Sequence, residues 1–365
     1  MNRRNLLIGG GAAALGVVGA GWAGLHDLSS MTAYDAAAAA ARIPLGGNPA
    51  LAELVRFATL APNGHNTQPW RFRLGTNRID VLPDFSRRTP VVDPDDHHLF
   101  VSLGCATENL VLAAAASGHR GEAVFAPDDG GTIGFAFRPG SPVDDPLFWA
   151  IPKRQSTRGR YDGRSLPTAE LRDLAVAAAV PGVELILMTE RRDRALVRDM
   201  VIDGNSRQMA DPAFVRELKQ WLRYNPHAAL RTRDGLFSAA SGNPALPSWA
   251  GPALFDRFVT ARSENDRYAR QLDSSAGVAI FLGAKADPDH WVRVGRACQR
   301  FALQATALGI KCAFVNQPVE VAGLRPELAA VIGAPGMRPD LVLRFGRGPA
   351  LPYALRRPVA AVLAA

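Results

Sequence analysis

The stretch GCATENLVLAAAASG, residues 104–118, can be laid over GRACQRFALQATALG, residues 295–309. Both begin and end on Gly at the same separation. Both place Ala third, Leu ninth, and Ala eleventh and thirteenth. Each predicts a buried amphipathic helix running into a strand, HRGEAVF after the first and IKCAFVN after the second. Matched glycines and a similar sequel point to one unit used twice in the same chain.

Working outward, half one is expected over 43–150 and half two over 151–365, after a leader and linker at 1–42. In half one, a helix read as capped by Asn48-Pro49 precedes strands WRFRLG and RIDVLP. The first repeat helix follows, then strands EAVFA and TIGFAFR. Half two supplies a helix (TAELRDLAVAAA) and strands VELILM and GVAIFLG. The second repeat helix, IKCAFV, a helix from about Val319 and strand LVLRFG close it. Helices and strands mix without strict βαβ alternation, which is an α+β pattern. Residues 203–250 have no repeat counterpart and carry Trp221, Tyr224, Phe237 and Trp249; they are read as an inserted lid.

The chain has 365 residues, 47% of them hydrophobic, enough for a large core. Its formal charge is +8, but Arg is scattered and forms no basic block, so nucleic acid is discounted as a partner. Cys105, Cys298 and Cys312 have no metal or disulfide spacing and are read as small core residues. The N-terminus pairs Arg3 and Arg4 with an uncharged Gly/Ala-rich apolar run. That pattern resembles a twin-arginine (Tat) export signal, which would take the folded protein to the periplasm or cell envelope, anchored if the run is not cleaved.

Three polar stretches carry the candidate chemistry. APNGHNTQPW, residues 61–70, follows the first helix of half one. Asn63, Asn66 and Gln68 offer donors and acceptors together, suited to a heterocycle edge, while Pro62 and Gly64 bend the backbone toward a flat ring. In RQSTR, a period of two puts Arg154, Ser156 and Arg158 on one face, able to chelate a phosphate or polyol. Arg356 and Arg357 near the C-terminus offer a second clamp or a basic tail. The Asp93-to-His98 run looks metal-like but is read as helix-capping, with no metal site expected. His65 is read as a solvent-facing turn residue, with proton donation to a reduced substrate as the alternative.

Together these motifs resemble the nitroreductase superfamily. APNGHNTQPW is similar to its amide-rich turn and Arg154-to-Arg158 to its flavin motif. Asn316-to-Glu320 resembles its loop against the flavin ring and Arg356-Arg357-Pro358 its terminal basic clamp. The amide motif precedes the Arg motif, and the duplicated chain behind an export-like signal is similar to the Acg-like branch. The resemblance implies a nitroreductase-like α+β fold, with two fused copies making an internal pseudo-dimer around central buried helices. It implies FMN as cofactor, held by Pro62, Asn63, Gly64, Asn66 and Gln68 from one half and Arg154, Ser156, Arg158, Pro318, Glu320, Val321, Arg356 and Arg357 from the other. The backbone at Pro318–Val321 would lie beside the ring, with an N–H for the flavin N5.

Catalysis would then rest on the flavin rather than on a side-chain nucleophile. NAD(P)H is the candidate donor and a small flat aromatic, a nitroaromatic or quinone, the acceptor. A single motif of each kind implies one complete and one degenerate FMN site, in a monomer or a homodimer. The alternative is an FMN-sequestering protein, for which Trp221 or Trp249 would cover the ring.

Overall fold

A computed structural model describes residues 31–364. The Tat reading therefore lies outside the described residues. Helix α1 (Met31–Ala40) and α2 (Leu51–Ala58) come first. Strands β1 (Trp70–Leu74) and β2 (Arg78–Pro83), helix α3 (His97–Ala116) and strands β3 (His119–Ala126) and β4 (Thr132–Pro139) complete one unit. Helices α4 (Pro146–Ala150) and α5 (Thr168–Ala177) lead to β5 (Val183–Met188) and α6 (Arg191–Ala210). An insertion then carries α7 (Pro212–Trp221), β6 (Leu222–Arg223), α8 (Pro226–Thr232), β7 (Leu236–Phe237) and α9 (Gly251–Phe258). Helix α10 (Ala261–Asp273), β8 (Gly277–Gly283), α11 (Pro288–Ala307), β9 (Lys311–Phe314), α12 (Gln317–Glu320), α13 (Arg325–Val331) and β10 (Pro339–Gly346) follow.

The duplication is visible in the sheets. The first has order β1-β2-β4-β3 and the second β5-β8-β10-β9, every pair antiparallel. With the two short lid strands set aside, both sheets run first, second, fourth, third. In each, the repeat helix stands between the second and third strands. The four repeat glycines have two separate reasons. A Cβ on Gly104 would sit 2.0 Å from the Val292 carbonyl oxygen, and one on Gly295 would sit 2.0 Å from that of Val101. Each glycine thus meets the residue three before the other, as a two-fold crossing demands. The closing glycines, Gly118 and Gly309, have φ of 76° and 72°, the left-handed stop that glycine adopts without penalty.

Polar contacts across α3 and α11 obey the same symmetry. Glu108 Oε1 accepts from Arg300 at 2.8 Å, and Gln299 Nε2 donates to Asn109 Oδ1 at 2.6 Å. These are the fifth and sixth repeat positions, paired reciprocally. Arg296 adds a second bond to Glu108, whose side chain is buried. Helix α3 is long and apolar enough to cross a membrane, yet it is mostly buried as the core helix.

Strand alternation divides the second sheet between two cores. Ala279 and Phe281 face α11, while Val278, Ile280 and Leu282 face the layer of α6. Three details differ from the sequence reading. Helix α2 starts at Leu51 after Ala50 with no side-chain cap, so Asn48 does not cap it. Residues 203–210 belong to α6, so the insertion begins at α7 and continues through α9. Residues 31–40, read as linker, form α1, whose buried Tyr34 packs on Phe237 of the lid and donates to the Tyr353 carbonyl at 2.6 Å. The C-terminal tail crosses to the first unit, where the Phe72 N–H donates to the Val362 carbonyl and the Ala364 N–H to the Phe72 carbonyl beside β1.

Candidate functional site

A cavity of about 630 Å³ opens between the two units, within the size range of cofactor sites. One wall is the turn Pro62–His65 with Val101, Ser102 and Cys105 of α3. The opposite wall is Arg158, Phe314, Asn316, Gln317 and Glu320. Asn205 and Gln208, one helical turn apart on α6, add amides. The lid and α10 cover it with Leu218, Tyr224, Leu254, Phe255, Phe258 and Tyr268. Trp221 and Trp249 do not line it: Trp249 is 67% exposed, and Trp221 lies under Arg87.

The amide turn divides its labour. Pro62, Asn63 and Gly64 face the cavity, and the Cβ position of Gly64 meets open space. Asn63 closes the turn internally, accepting from the Gln68 N–H at 2.8 Å. Asn66 and Gln68 do not line the cavity, contrary to their reading as heterocycle contacts. Asn66 Nδ2 donates to the Gly235 and Leu355 carbonyls and its Oδ1 accepts from Arg356. Gln68 donates to the Arg233 carbonyl and accepts from the Arg357 N–H. Both amides tie the turn to the lid and to the C-terminal tail. The backbone bends sharply to place them, with positive φ at His65, Asn66 and Gln68. Such conformations persist only where the surroundings impose them.

The arginines separate as well. Arg154, Ser156 and Arg158 do not act as one face toward the cavity. Ser156 lies in a bridge against Cys312 at the edge of β9. Arg154 is buried and donates to the Leu60 carbonyl at 2.9 Å. Arg356 reaches the same place, donating to the carbonyls of Thr59, Leu60 and Ala61. Two buried guanidiniums therefore complete the carbonyl end of α2, where the helix dipole favours cations. Arg357 donates to the Ala361 carbonyl near Asp84 and is also away from the cavity. Arg158 alone of these four lines it, and its guanidinium has no hydrogen bond or ion pair among the described residues. Burial pushes its pKa down. A half-buried cation without a partner is a ready site for an anion.

The loop after β9 also departs from its reading. Val319 and Glu320 donate their N–H groups to the Asn316 carbonyl, and Val321 donates to that of Gln317. Pro318 has no N–H, so none of these residues can offer one to a ring. The Asn316 and Gln317 N–H groups, at the start of the helical turn, have no partner among the described residues, and both residues line the cavity. Glu320 accepts from Gln208 at 2.7 Å, and burial pushes its carboxyl up. His65 is half-buried at the cavity rather than solvent-facing. Burial, with Arg158 and His98 nearby, holds its imidazole down at about 4, so it is neutral at pH 7. The three cysteines are buried, as read, and Cys105 also touches the cavity. The α3 start is capped by Asp93, which accepts from the His98 and Leu99 N–H groups.

A second cavity, about 830 Å³, lies on the other side of the paired helices. Asp289, Val292, Arg293 and Arg296 line it, and they are the repeat equivalents of His98, Val101, Ser102 and Cys105 at the first cavity. The positions are matched and the chemistry is not. Ser102 and Cys105 are small and uncharged, whereas Arg293 and Arg296 line the second cavity as guanidiniums already paired with Asp289 and Glu108.

No family model matches this chain. Rv3131 of Mycobacterium tuberculosis, assigned as an NAD(P)H nitroreductase, is 31% identical over 313 residues, covering 82% of this chain and 86% of that protein. The chain belongs to the nitroreductase family. A second M. tuberculosis relative assigned to the same activity, acg, is 24% identical over 314 residues, covering 84% of the chain and 92% of its own length. Among solved structures, a nitroreductase with bound FMN from Desulfitobacterium hafniense shares 15% identity at a TM-score of 0.38, over 59% of this chain and 96% of that one. The FMN-dependent nitroreductase NfnB of Mycobacterium smegmatis, in complex with NADPH, shares 13% at 0.36, over 56% and 87%. This family member is an α+β protein with two similarly ordered four-stranded sheets in one chain.

Proposed function

We propose that the chain is an FMN-dependent oxidoreductase of nitroreductase type, with NAD(P)H as donor and a flat, electron-poor nitroaromatic or quinone as acceptor. The observation that carries this is the unpartnered Arg158 guanidinium facing a cavity whose opposite wall is the Pro62–Gly64 turn. The fit to FMN is chemical. Arg158 suits the phosphate, the open Gly64 wall suits a flat ring, and the free Asn316 and Gln317 N–H groups suit ring acceptors. A bound FMN would supply hydride acceptance and onward electron transfer. The chain itself would bind the anion at Arg158, fix the ring between the two units, and exclude water with the lid residues Leu254, Phe255 and Phe258. His65, neutral at pH 7, has an N–H to offer a bound molecule.

Turnover is favoured over sequestration because Trp221 and Trp249 leave the cavity uncovered by an indole. One flavin per chain is expected, since Arg293 and Arg296 of the second cavity are already paired with Asp289 and Glu108 and offer no free cation there. Export through the Arg3-Arg4 signal is part of the same proposal, and fusing residues 1–42 to a reporter tests it. The activity test is anaerobic addition of NADPH or NADH to the FMN-loaded protein. Bleaching of the flavin band, reversed by a quinone or nitroaromatic, supports the reductase. A flavin that dithionite reduces but neither nicotinamide does would contradict it.

A further inference from the structure

We propose that Asp93, His97, His98 and Asp340 form a binding site for a divalent transition-metal cation of the zinc type. The group lies behind the cavity wall, where the start of α3 meets β10. Donor atoms of Asp93, His97 and His98 all lie within 4.8 Å of one another. Asp340, 1% exposed, brings its Oδ1 to 2.9 Å from His97 Nε2. That contact is not a well-aligned hydrogen bond. His97 Nε2, His98 Nε2 and Asp340 Oδ1 are all buried without a hydrogen-bond partner. Buried orphans of this kind are costly, and two of them, His97 Nε2 and Asp340 Oδ1, face each other.

A shared metal ion removes the cost. Tetrahedral bonds of about 2.0–2.2 Å to imidazole nitrogen and carboxylate oxygen hold ligand atoms roughly 3.3 Å apart. The His97–Asp340 approach is close to that edge, and modest side-chain rotation brings in His98 and Asp93. Asp93 can cap α3 and still ligate, because each carboxylate oxygen keeps a second lone pair. Asp340 is anchored through its other oxygen by the Gly283 N–H at 2.5 Å, an outer contact of the kind that fixes a ligand's orientation.

The charges fit a dication. Arg338 is paired with Asp95 at 2.7 Å and stacks on Trp291. Arg325 donates to the Val319 carbonyl. Against that single uncompensated guanidinium stand the carboxylates of Asp93, Asp340 and Glu320, an excess of two negative charges. Two imidazoles with carboxylates select a borderline metal over magnesium or calcium. The ion would join the first unit, through α3, to the second, through β10, and would fix His98 in the cavity wall. The inference does not depend on the flavin reading.

The test uses the full chain without a histidine tag, stripped with chelator, incubated with Zn(II), desalted and analysed for metal. The expected result is one zinc per chain and a raised melting temperature. Co(II) in its place should give the visible bands of a four-coordinate site. His97→Ala and Asp340→Asn should each weaken retention at least about tenfold, while His119→Ala, remote from the site, should retain it. Circular dichroism checks that the variants fold; if His97→Ala does not, His98→Ala reads the same site. No retained zinc in the wild type, or equal retention in His97→Ala and Asp340→Asn, would overturn the proposal.

Discussion

Arg154 and Arg158 stand four residues apart in one motif and meet opposite environments. Arg154 is held by the Leu60 carbonyl, beside Arg356 at the end of α2, whereas the Arg158 guanidinium faces the cavity without a partner among the described residues. Substitution should separate the roles. Arg158→Gln should leave the melting temperature near wild type and weaken FMN binding by about 2 kcal/mol, roughly thirtyfold in Kd. Arg356→Leu should do the reverse, because the buried Thr59, Leu60 and Ala61 carbonyls would lose their donor, costing about 3 kcal/mol of stability. Parallel thermal melts and flavin-fluorescence titrations read both. The residue types were legible in the sequence, but which guanidinium is free was not. That depends on where the end of α2 falls in space, a contact 296 residues away in sequence for Arg356.

His65 gives a pH signature at the same scale. Its folded-state pKa is held at about 4, below the ordinary 6.5. Above 6.5 both folded and unfolded forms are neutral and nothing is lost. As pH falls from 6.5 toward 4 the unfolded chain takes up a proton that the folded chain refuses, so stability declines through that window. His65→Gln should remove this component, and melting temperatures from pH 7 to 4 should fall less steeply than in the wild type. Equal slopes would show that the imidazole is solvated rather than enclosed.

At the scale of elements, the repeat helices α3 and α11 carry the fold. A methyl on Gly295 would collide with the Val101 carbonyl, so Gly295→Ala should cost about 3 kcal/mol, and Gly104→Ala should match it by symmetry. Chemical denaturation of both variants measures this; a change near zero at either position would mean that the helices do not cross there. These helices were legible because glycine spacing and an apolar pattern are local signals, and so were the strands flanking them. The lid was legible as an unmatched segment, but not where α6 ends, since residues 203–210 simply continue its helix. The roles of Asn66 and Gln68 were hidden for another reason. A side-chain amide serves a ligand or a neighbouring backbone equally well, and here Arg233, Gly235, Leu355 and Arg357 supply the backbone. Asn205 and Gln208 carried a faint signal, two amides one turn apart on a helix, that meant nothing until the cavity placed them.

For the molecule as a whole, duplication creates two equivalent places and the sequence preserves one. The first is lined by Ser102, Cys105 and Arg158, while the guanidiniums of the second, Arg293 and Arg296, are taken up by Asp289 and Glu108. The fused chain thereby holds both walls of its own site, and the C-terminal tail and α1 bind the lid over it. Substrate and electron donor were not legible at this scale, because a flavin site recognises its cofactor with many residues and its acceptor with few. Two walls contributed by the two units predict a single composite FMN site. Titrating the apo-protein with FMN, followed by flavin fluorescence and absorbance, tests it most directly. Saturation is expected at one FMN per chain, with affinity weakened by Arg158→Gln and unchanged by Arg293→Ser. Saturation at two per chain, or no binding at all, would contradict it.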